Sequence, residues 1–250
     1  MTNPPLTLSL ETATLGGSVF LGRGQLQLAT RSGDPQVSHS NSLLSDINDS
    51  LREAGVQLAD VDLFACALGP GSFTGLRIGI ATLKSLAATL KRPCVGIPTL
   101  NAVAHAAGDS RATVALLPAG RGELFAQMFS VAGDGVIERD SAVHLSPDAL
   151  VEKYGMIAEL TWAGPGAHAQ RNLLADFAQR QGIDFTELQS GDQAGNEARG
   201  WLLAPAHSNL AAHVAALALQ KFERGESQSA QTLSAIYVRP SDAELNAQCP

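Results

Sequence analysis

Charge is scarce in this chain of 250 residues: Asp, Glu, Lys and Arg make up 16% of it. What charge there is leans acidic, 17 basic against 24 acidic residues, for a net charge of −7 and a pI near 5.3. Surfaces that grip nucleic acid draw their affinity from clustered Lys and Arg, so extended contact with RNA or DNA is not expected of this chain; if RNA is involved, another subunit holds it. Cysteine is almost missing. Cys66, Cys94 and Cys249 are an odd number, far apart and without a C-x-x-C, which fits neither a disulfide framework nor a zinc site and reads as idle, reduced thiols. No uncharged apolar run of roughly 18 residues occurs, so no membrane-spanning helix is expected. Met1 to Pro5 lacks the positive and apolar regions of a secretory signal, and a soluble cytoplasmic protein is expected. The six histidines, at positions 39, 105, 144, 168, 207 and 213, contain no H-x-x-x-H or H-E-x-x-H pair, so no metal site is expected either.

What is abundant is apolar material, 45% of residues, enough for a large core or two ordinary ones. Alternation at Leu6, Leu8 and Leu10, the turn-like Glu11 to Gly17, the apolar Ser18 to Leu21 and the alternating Gln25 to Thr30 predict three strands in an antiparallel meander. A helix beginning near Ser40 follows, with Leu43, Leu44, Ile47 and Leu51 on one face, and His39 stands just before it, where a cap or a lobe-facing role is as plausible as chemistry. Val61 to Leu68 reads as a buried strand. It runs into a glycine-rich turn and a helix from Phe73 to Lys91, apolar around almost its whole circumference and therefore expected to be buried on two sides. Pro93 to Ile97 is a further short strand, and Thr99 caps a helix to Ala107.

After the polar Gly108 to Arg111 the pattern starts again. Thr113 to Leu117, Glu123 to Val131 and Val136 to Leu145 read as strands, separated by turns at Pro118 to Gly122 and Ala132 to Gly135. A helix capped by Ser146 with Pro147 at its first position follows. Next come a strand ending near Ala163, the turn Gly164 to Ala167 with His168 as surface at a helix start, a helix to Gln181, and a helix from Ser208 to Phe222; the tail after Arg239 reads as loose. Three strands then a helix, used twice, predicts an α/β chain of two lobes, each a mixed sheet flanked by helices. That is the ribonuclease H-like plan of actin, sugar kinases and heat-shock ATPases (ASKHA), with lobes at 1–108 and 109–250 and a last helix able to pack back on the first lobe.

The sharpest local feature is Gly69-Pro-Gly-Ser-Phe-Thr-Gly75, where a strand, a glycine turn and a helix start bring backbone N–H groups to one point. Two readings stand beside each other: an anion site, or glycines serving close strand-helix packing with Ser72 or Thr74 as the cap. The Walker A pattern fails for want of a Lys, G-x-G-x-x-G fails at Thr74, and G-S-F-T-G is not the G-x-S-x-G nucleophile elbow, so no catalytic residue is assigned. In actin-like enzymes a short carboxylate on the first turn of each lobe positions metal and water. Here those turns read Glu11-Thr-Ala-Thr14 and Pro118-Ala-Gly-Arg121, with a longer carboxylate in one and none in the other, so the machinery for nucleotide hydrolysis is expected to be missing.

Leu8-Ser-Leu-Glu-Thr-Ala-Thr14, Ala67-Leu-Gly-Pro-Gly-Ser-Phe-Thr-Gly-Leu-Arg-Ile-Gly79, Gly120-Arg-Gly-Glu-Leu-Phe125, Gly164-Pro-Gly-Ala167 and Tyr237-Val-Arg-Pro240 together resemble the TsaB/YeaZ branch of the TsaD family over nearly the whole chain. The resemblance implies a role in making N6-threonylcarbamoyladenosine at adenosine 37 of tRNAs that read codons starting with A. TsaD would carry the transfer, TsaE would be the ATPase that resets the complex, and this chain would be the non-catalytic scaffold between them. It implies contact with tRNA only through the complex, a homodimer when alone, and no membrane. No cofactor is committed to, though ADP or ATP at the junction with TsaD stays open, with Glu11, Thr12, Gly69, Gly71, Ser72, Thr74 and Gly75 as a vestigial or interface nucleotide site. The H-x-x-x-H of the catalytic branch is not carried over, since Leu43 stands four residues after His39; the TsaB/YeaZ branch itself commonly has Asp where this chain has Glu11, and an Asp-Ala-Arg start where it has Pro118-Ala-Gly120. Helices around Asn41 to Ala54 and Phe73 to Lys91 are expected to form the subunit interface through Leu44, Ile47, Leu51, Leu76, Ile80, Leu83 and Ala87, with Ile80 and Leu83 facing outward. The competing readings are a stand-alone small-molecule kinase or ATPase of the same fold, and a peptidase or chaperone-like binder.

Overall fold

A computed structural model describes residues 3–34, 39–189, 192 and 199–238, with the backbone alone at 39–41. The expectations for the His39 side chain, for the end of the Tyr237 motif and for the tail after Arg239 lie outside the described residues. The chain divides into two compact units: Met1–Ala106 with His207–Ala235, and Ala107–Ala206 with the described residues from Ile236.

The first unit is a five-stranded mixed sheet. Strands β1 (Leu6–Glu11), β2 (Ser18–Arg23) and β3 (Leu26–Ser32) form the antiparallel meander, and β4 (Leu63–Ala67) and β5 (Cys94–Ile97) add to β1 in parallel, giving the order β3-β2-β1-β4-β5. Every residue of β1 and β4 is buried, as strands covered on both faces require. Helices α1 (His39–Ala54), α2 (Phe73–Leu90), α3 (Thr99–Ala106) and α7 (Leu210–Glu223) flank the sheet, α1 contacting β2 and β3, α2 contacting β4, and α7 lying across β1, β2, β4 and β5.

Helix α7 comes late in the chain yet completes this early sheet. Asn209 is its N-cap, accepting from the Ala212 N–H, and its amide also bonds Thr30 Oγ1 on β3. The Ala211 N–H donates to Ser18 Oγ on β2 at 3.0 Å, and Phe20 packs against Ala211, Ala212 and Ala215. Small residues along α7 let a helix lie close to a pleated surface. Since side chains alternate along a strand, the face of β1 under α7 carries Thr7, Ser9 and Glu11, while Leu6, Leu8 and Leu10 point the other way.

The second unit repeats the scheme. β6 (Ser110–Gly120), β7 (Glu123–Ala132) and β8 (Gly135–Glu138) form its meander, β9 (Val143–Leu145) also pairs with β7, and β10 (Leu160–Ala163), β12 (Trp201–Leu203) and β11 (Phe185–Glu187) extend it in parallel. Read from β8, the order β8-β7-β6-β10-β12 matches that of the first sheet, with β11 added at the edge. Helices α4 (Pro147–Tyr154), α5 (Pro165–Ala169) and α6 (Arg171–Gln181) pack on it, over a core that holds Tyr154, Trp162 and Trp201.

The expected single strand from Val136 to Leu145 is interrupted at Asp140. Its carboxylate accepts the Met128 N–H at 2.7 Å, and its carbonyl accepts from Gln127 Nε2 at 2.9 Å, which bends the chain between β8 and β9. Pro165 to Ala167 belong to the short helix α5, with Gly164 as its N-cap, rather than to a plain turn, and His168 there is half-buried, 3.0 Å from the carbonyl of Ala204, rather than surface. Among the described residues no helix is long and apolar enough to cross a membrane.

Candidate functional site

Glu11 ends β1 and is 1% exposed, and its carboxylate folds back on the turn that follows. Oε1 accepts the N–H groups of Ala13 (2.5 Å) and Thr14 (2.8 Å), and Oε2 accepts the Thr14 hydroxyl at 2.7 Å. Glutamate is long enough to reach forward to the residues two and three positions later in this way, and once there it caps the turn as a fixed internal acceptor.

That turn is keyed into the glycine loop. The Ala13 carbonyl receives the Ser72 N–H at 2.7 Å, and Gly71, at φ +154°, lies so close to Ala13 that a methyl group in its place would collide with the Ala13 carbonyl. Nearly two turns into α2, Gly79 leaves room for the Thr12 side chain in the same manner. The loop is also fastened at its start, because the Gly69 N–H donates to Thr99 Oγ1 (3.1 Å) and the Thr99 N–H donates to the Gly69 carbonyl (2.8 Å). Ser72 is the N-cap of α2: its Oγ accepts the Gly75 N–H at 3.2 Å, and its carbonyl accepts from Leu76. The residues Glu11, Thr12, Gly69, Gly71, Ser72 and Gly75 are thus brought together, with Thr74 exposed in the first turn of α2, and the N–H groups of Gly69, Ser72 and Gly75 point to partners inside the fold. The capping reading of the loop accounts for all of these contacts.

The interface residues fall differently. Leu44 on α1 is 66% exposed, but Ile47, Leu51, Leu76, Ile80, Leu83 and Ala87 are buried inside the first unit, Leu83 at 0%. The expectation that Ile80 and Leu83 face outward is therefore corrected. Helix α2 turns one stripe, Leu76, Gly79, Ile80, Leu83 and Ala87, inward, at the 3.6-residue period, because β4 and α1 both pack against it. Its open side carries Thr74, Arg77, Ala81, Ser85, Ala88 and Thr89, small or polar residues whose apolar neighbours gave the false impression of an all-round apolar helix. Arg77 is stacked over the Phe73 ring, 3.8 Å from its centre.

Sequence spacing gave no sign of the imidazole cluster formed by His105 on α3, His213 on α7 and His207 just before α7. The three are more than a hundred residues apart at the extremes and meet only because α7 returns to the first sheet, so no local motif could reveal them. Among the described residues no group of three or more His, Cys, Asp or Glu is arranged to hold a metal ion. In the second unit the hairpin between β6 and β7 places Pro118 within β6, opposite Leu124, and turns at Arg121 and Gly122, both at positive φ.

Comparison with known proteins follows the same lines. Residues 35–224 match the family model "TsaD: tRNA N6-adenosine threonylcarbamoyltransferase". The chain is 28% identical to the tRNA threonylcarbamoyladenosine biosynthesis protein TsaB of Escherichia coli, the alignment covering 93% of this chain and 94% of that one. A crystal structure of "an uncharacterized protein with similarity to peptidase YEAZ from Pseudomonas aeruginosa" superposes with a TM-score of 0.71 at 25% identity, over 94% of this chain and all of the other. YeaZ from Pseudomonas aeruginosa superposes with a TM-score of 0.67 at 25% identity, over 93% of this chain and 99% of its own.

Proposed function

The chain belongs to the family described by the tRNA N6-adenosine threonylcarbamoyltransferase model, and on that premise we propose that it is a non-catalytic, cytoplasmic TsaB-type subunit of the machinery that forms N6-threonylcarbamoyladenosine on tRNA. In this reading a TsaD subunit performs the transfer, TsaE provides ATPase action, and this chain is required as their scaffold. The observation that carries it is the engagement of Glu11. The carboxylate that stands where an actin-like enzyme would hold metal and water is bonded instead to Ala13 and Thr14 of its own turn. The nearby loop donors, at Gly69, Ser72 and Gly75, serve the fold as well.

Full-length similarity to a tRNA threonylcarbamoyladenosine biosynthesis protein supports the pathway. The distribution of charge supports a subunit that leaves tRNA to its partners: Arg31, Arg52, Arg92, Lys153, Arg171 and Arg224 each lie against a carboxylate, and a paired cation contributes little to gripping phosphates. We place the docking surface for TsaD, and for a second copy when the chain is alone, on the exposed side of α1 and α2, through Leu44 and the small residues Ala81, Ser85 and Ala88; the buried Ile47, Leu51, Leu76, Ile80, Leu83 and Ala87 support that flank from within. Any ADP or ATP would be held at the junction with TsaD.

Reconstitution tests this reading. Threonylcarbamoylation of tRNA by TsaD and TsaE is expected to fall to background when this chain is withheld, and the chain alone is expected to form no product. Full activity without it, or steady turnover of Mg-ATP by the isolated chain, would overturn the assignment.

A further inference from the structure

Two successive backbone N–H groups and a hydroxyl converging on one carboxylate are what a backbone nest offers an anion. In the turn after β1 the donors are the N–H groups of Ala13 and Thr14 with the Thr14 hydroxyl, and the anion they hold is the side chain of Glu11. We propose that the turn Thr12 to Thr14 is a binding site for a small oxyanion that Glu11 keeps filled from within the chain, and that this filling positions the Gly69 to Gly75 loop. The inference concerns the isolated chain and stands whatever its partners are.

The filling and the loop are linked by direct contacts. With Ala13 held by Glu11, its carbonyl sits 2.7 Å from the Ser72 N–H, and its backbone fills the space beside Gly71 that a side chain there would need. Thr12, on the other flank of the turn, seats its side chain against Gly79 of α2. Ser72 in turn caps the helix by accepting from Gly75. Emptying the nest therefore releases the Ala13 carbonyl, then the Ser72 N–H, then the first turn of α2. Because Glu11 is buried, truncating its side chain to alanine leaves a pocket lined by three donors, of a size set by a carboxymethyl group, which suits formate or acetate and, with the turn relaxed, phosphate.

The test is chemical rescue of Glu11→Ala in the full chain, read by hydrogen exchange at the Ser72 and Gly75 amides and by thermal unfolding. Sodium formate, sodium acetate and inorganic phosphate are titrated separately against sodium chloride at constant ionic strength. Ser72 exchange is expected to rise about tenfold or more in the variant, and formate or acetate to restore it saturably. The native chain and Glu11→Gln, whose nests remain filled, are expected to respond no more than they do to chloride. Saturable rescue by phosphate in place of the carboxylates assigns the nest to phosphate-type anions. If Glu11→Ala does not fold in chloride, the readout becomes refolding yield, and recovery in formate, acetate or phosphate supports the site. Unchanged Ser72 exchange in a folded variant, or the same response to all three anions as to chloride, overturns the proposal.

Discussion

The Nδ1 atoms of His105 and His213 lie 2.8 Å apart, so the rings of α3 and α7 share one hydrogen bond in which one donates and the other accepts. His207 packs edge-on to His213, with 5.4 Å between ring centres. On the strands beneath α7, Glu11 is the titratable side chain on the facing side among the described residues, for Cys66 and Cys94 point to the opposite face by strand alternation. Burial first, then the neighbouring His105 and His207, hold the His213 imidazole down at about 3, against its ordinary 6.5.

A pH dependence with a definite sign follows. Folded His213 stays neutral while the unfolded chain takes up a proton below its ordinary pKa, so the unfolded state binds more protons as the solution acidifies. Stability is therefore complete above pH 6.5 and is lost as pH falls from there toward about 3, by up to about 1.4 kcal/mol per pH unit for one proton. Urea unfolding between pH 7.5 and 4.5 is expected to give a shallower slope for His213→Gln than for the native chain. Identical slopes would remove this account.

Substitutions on α2 should separate by face. Leu83→Glu buries an unpaired charge at a position with 0% exposure and is expected to destabilise by more than about 3 kcal/mol. Ala81→Glu and Leu44→Glu lie on exposed positions and are expected to change stability by less than about 0.5 kcal/mol, yet to abolish co-elution with TsaD on size exclusion. Retained co-elution of both folded variants would move the docking surface off this flank.

Gly79→Ala is expected to cost about 1–3 kcal/mol, because the new methyl would meet the Thr12 side chain. Adding Thr12→Ala to it should recover part of that loss, giving a favourable coupling in a double-mutant cycle. Strictly additive losses would mean that the two residues do not share the space.

Tyr154 donates its hydroxyl to Asp140 Oδ2 at 2.8 Å, and Lys153 Nζ lies 3.0 Å from the same oxygen. Burial first, then this hydrogen bond and the Asp140 charge, push the phenol well above the usual tyrosine range. Ultraviolet titration is expected to show that Tyr154, one of two tyrosines, does not ionise until the protein unfolds. Tyr154→Phe is expected to lose about 1–2 kcal/mol and to remove that late, unfolding-coupled component; an unaltered titration curve would assign it elsewhere.

Much of the architecture was legible because it rests on local patterns. The alternating Leu6, Leu8 and Leu10, the glycine turns and the Ser146-Pro147 helix start each carry their own signal, and the doubled order of strands emerges from them. The short β11 and β12 escaped because three residues are too few to show a period. The inward stripe of α2 escaped for a different reason. Leu76, Ile80 and Leu83 are no more apolar than Ile78 or Leu86, and only the packing of β4 and α1 decides which of them are covered. At the candidate site the glycine loop and Glu11 were found from sequence, but the carboxylate's bonding to its own turn depends on rotamers and on a close approach that composition does not encode.

The first unit is built from two stretches of chain, and this bears on how the protein is made. When Ala106 has left the ribosome, the surface of β1 and β2 that α7 will occupy, with Ser9 and Phe20 on it, has no cover. Ala107–Ala206 must be translated before that cover exists, a delay on the order of 10 s at ordinary rates of chain elongation. The nascent first half is thus a natural client for chaperones during synthesis, and premature termination between Ala106 and Leu210 would release a fragment with a bare, strand-rich face prone to self-association.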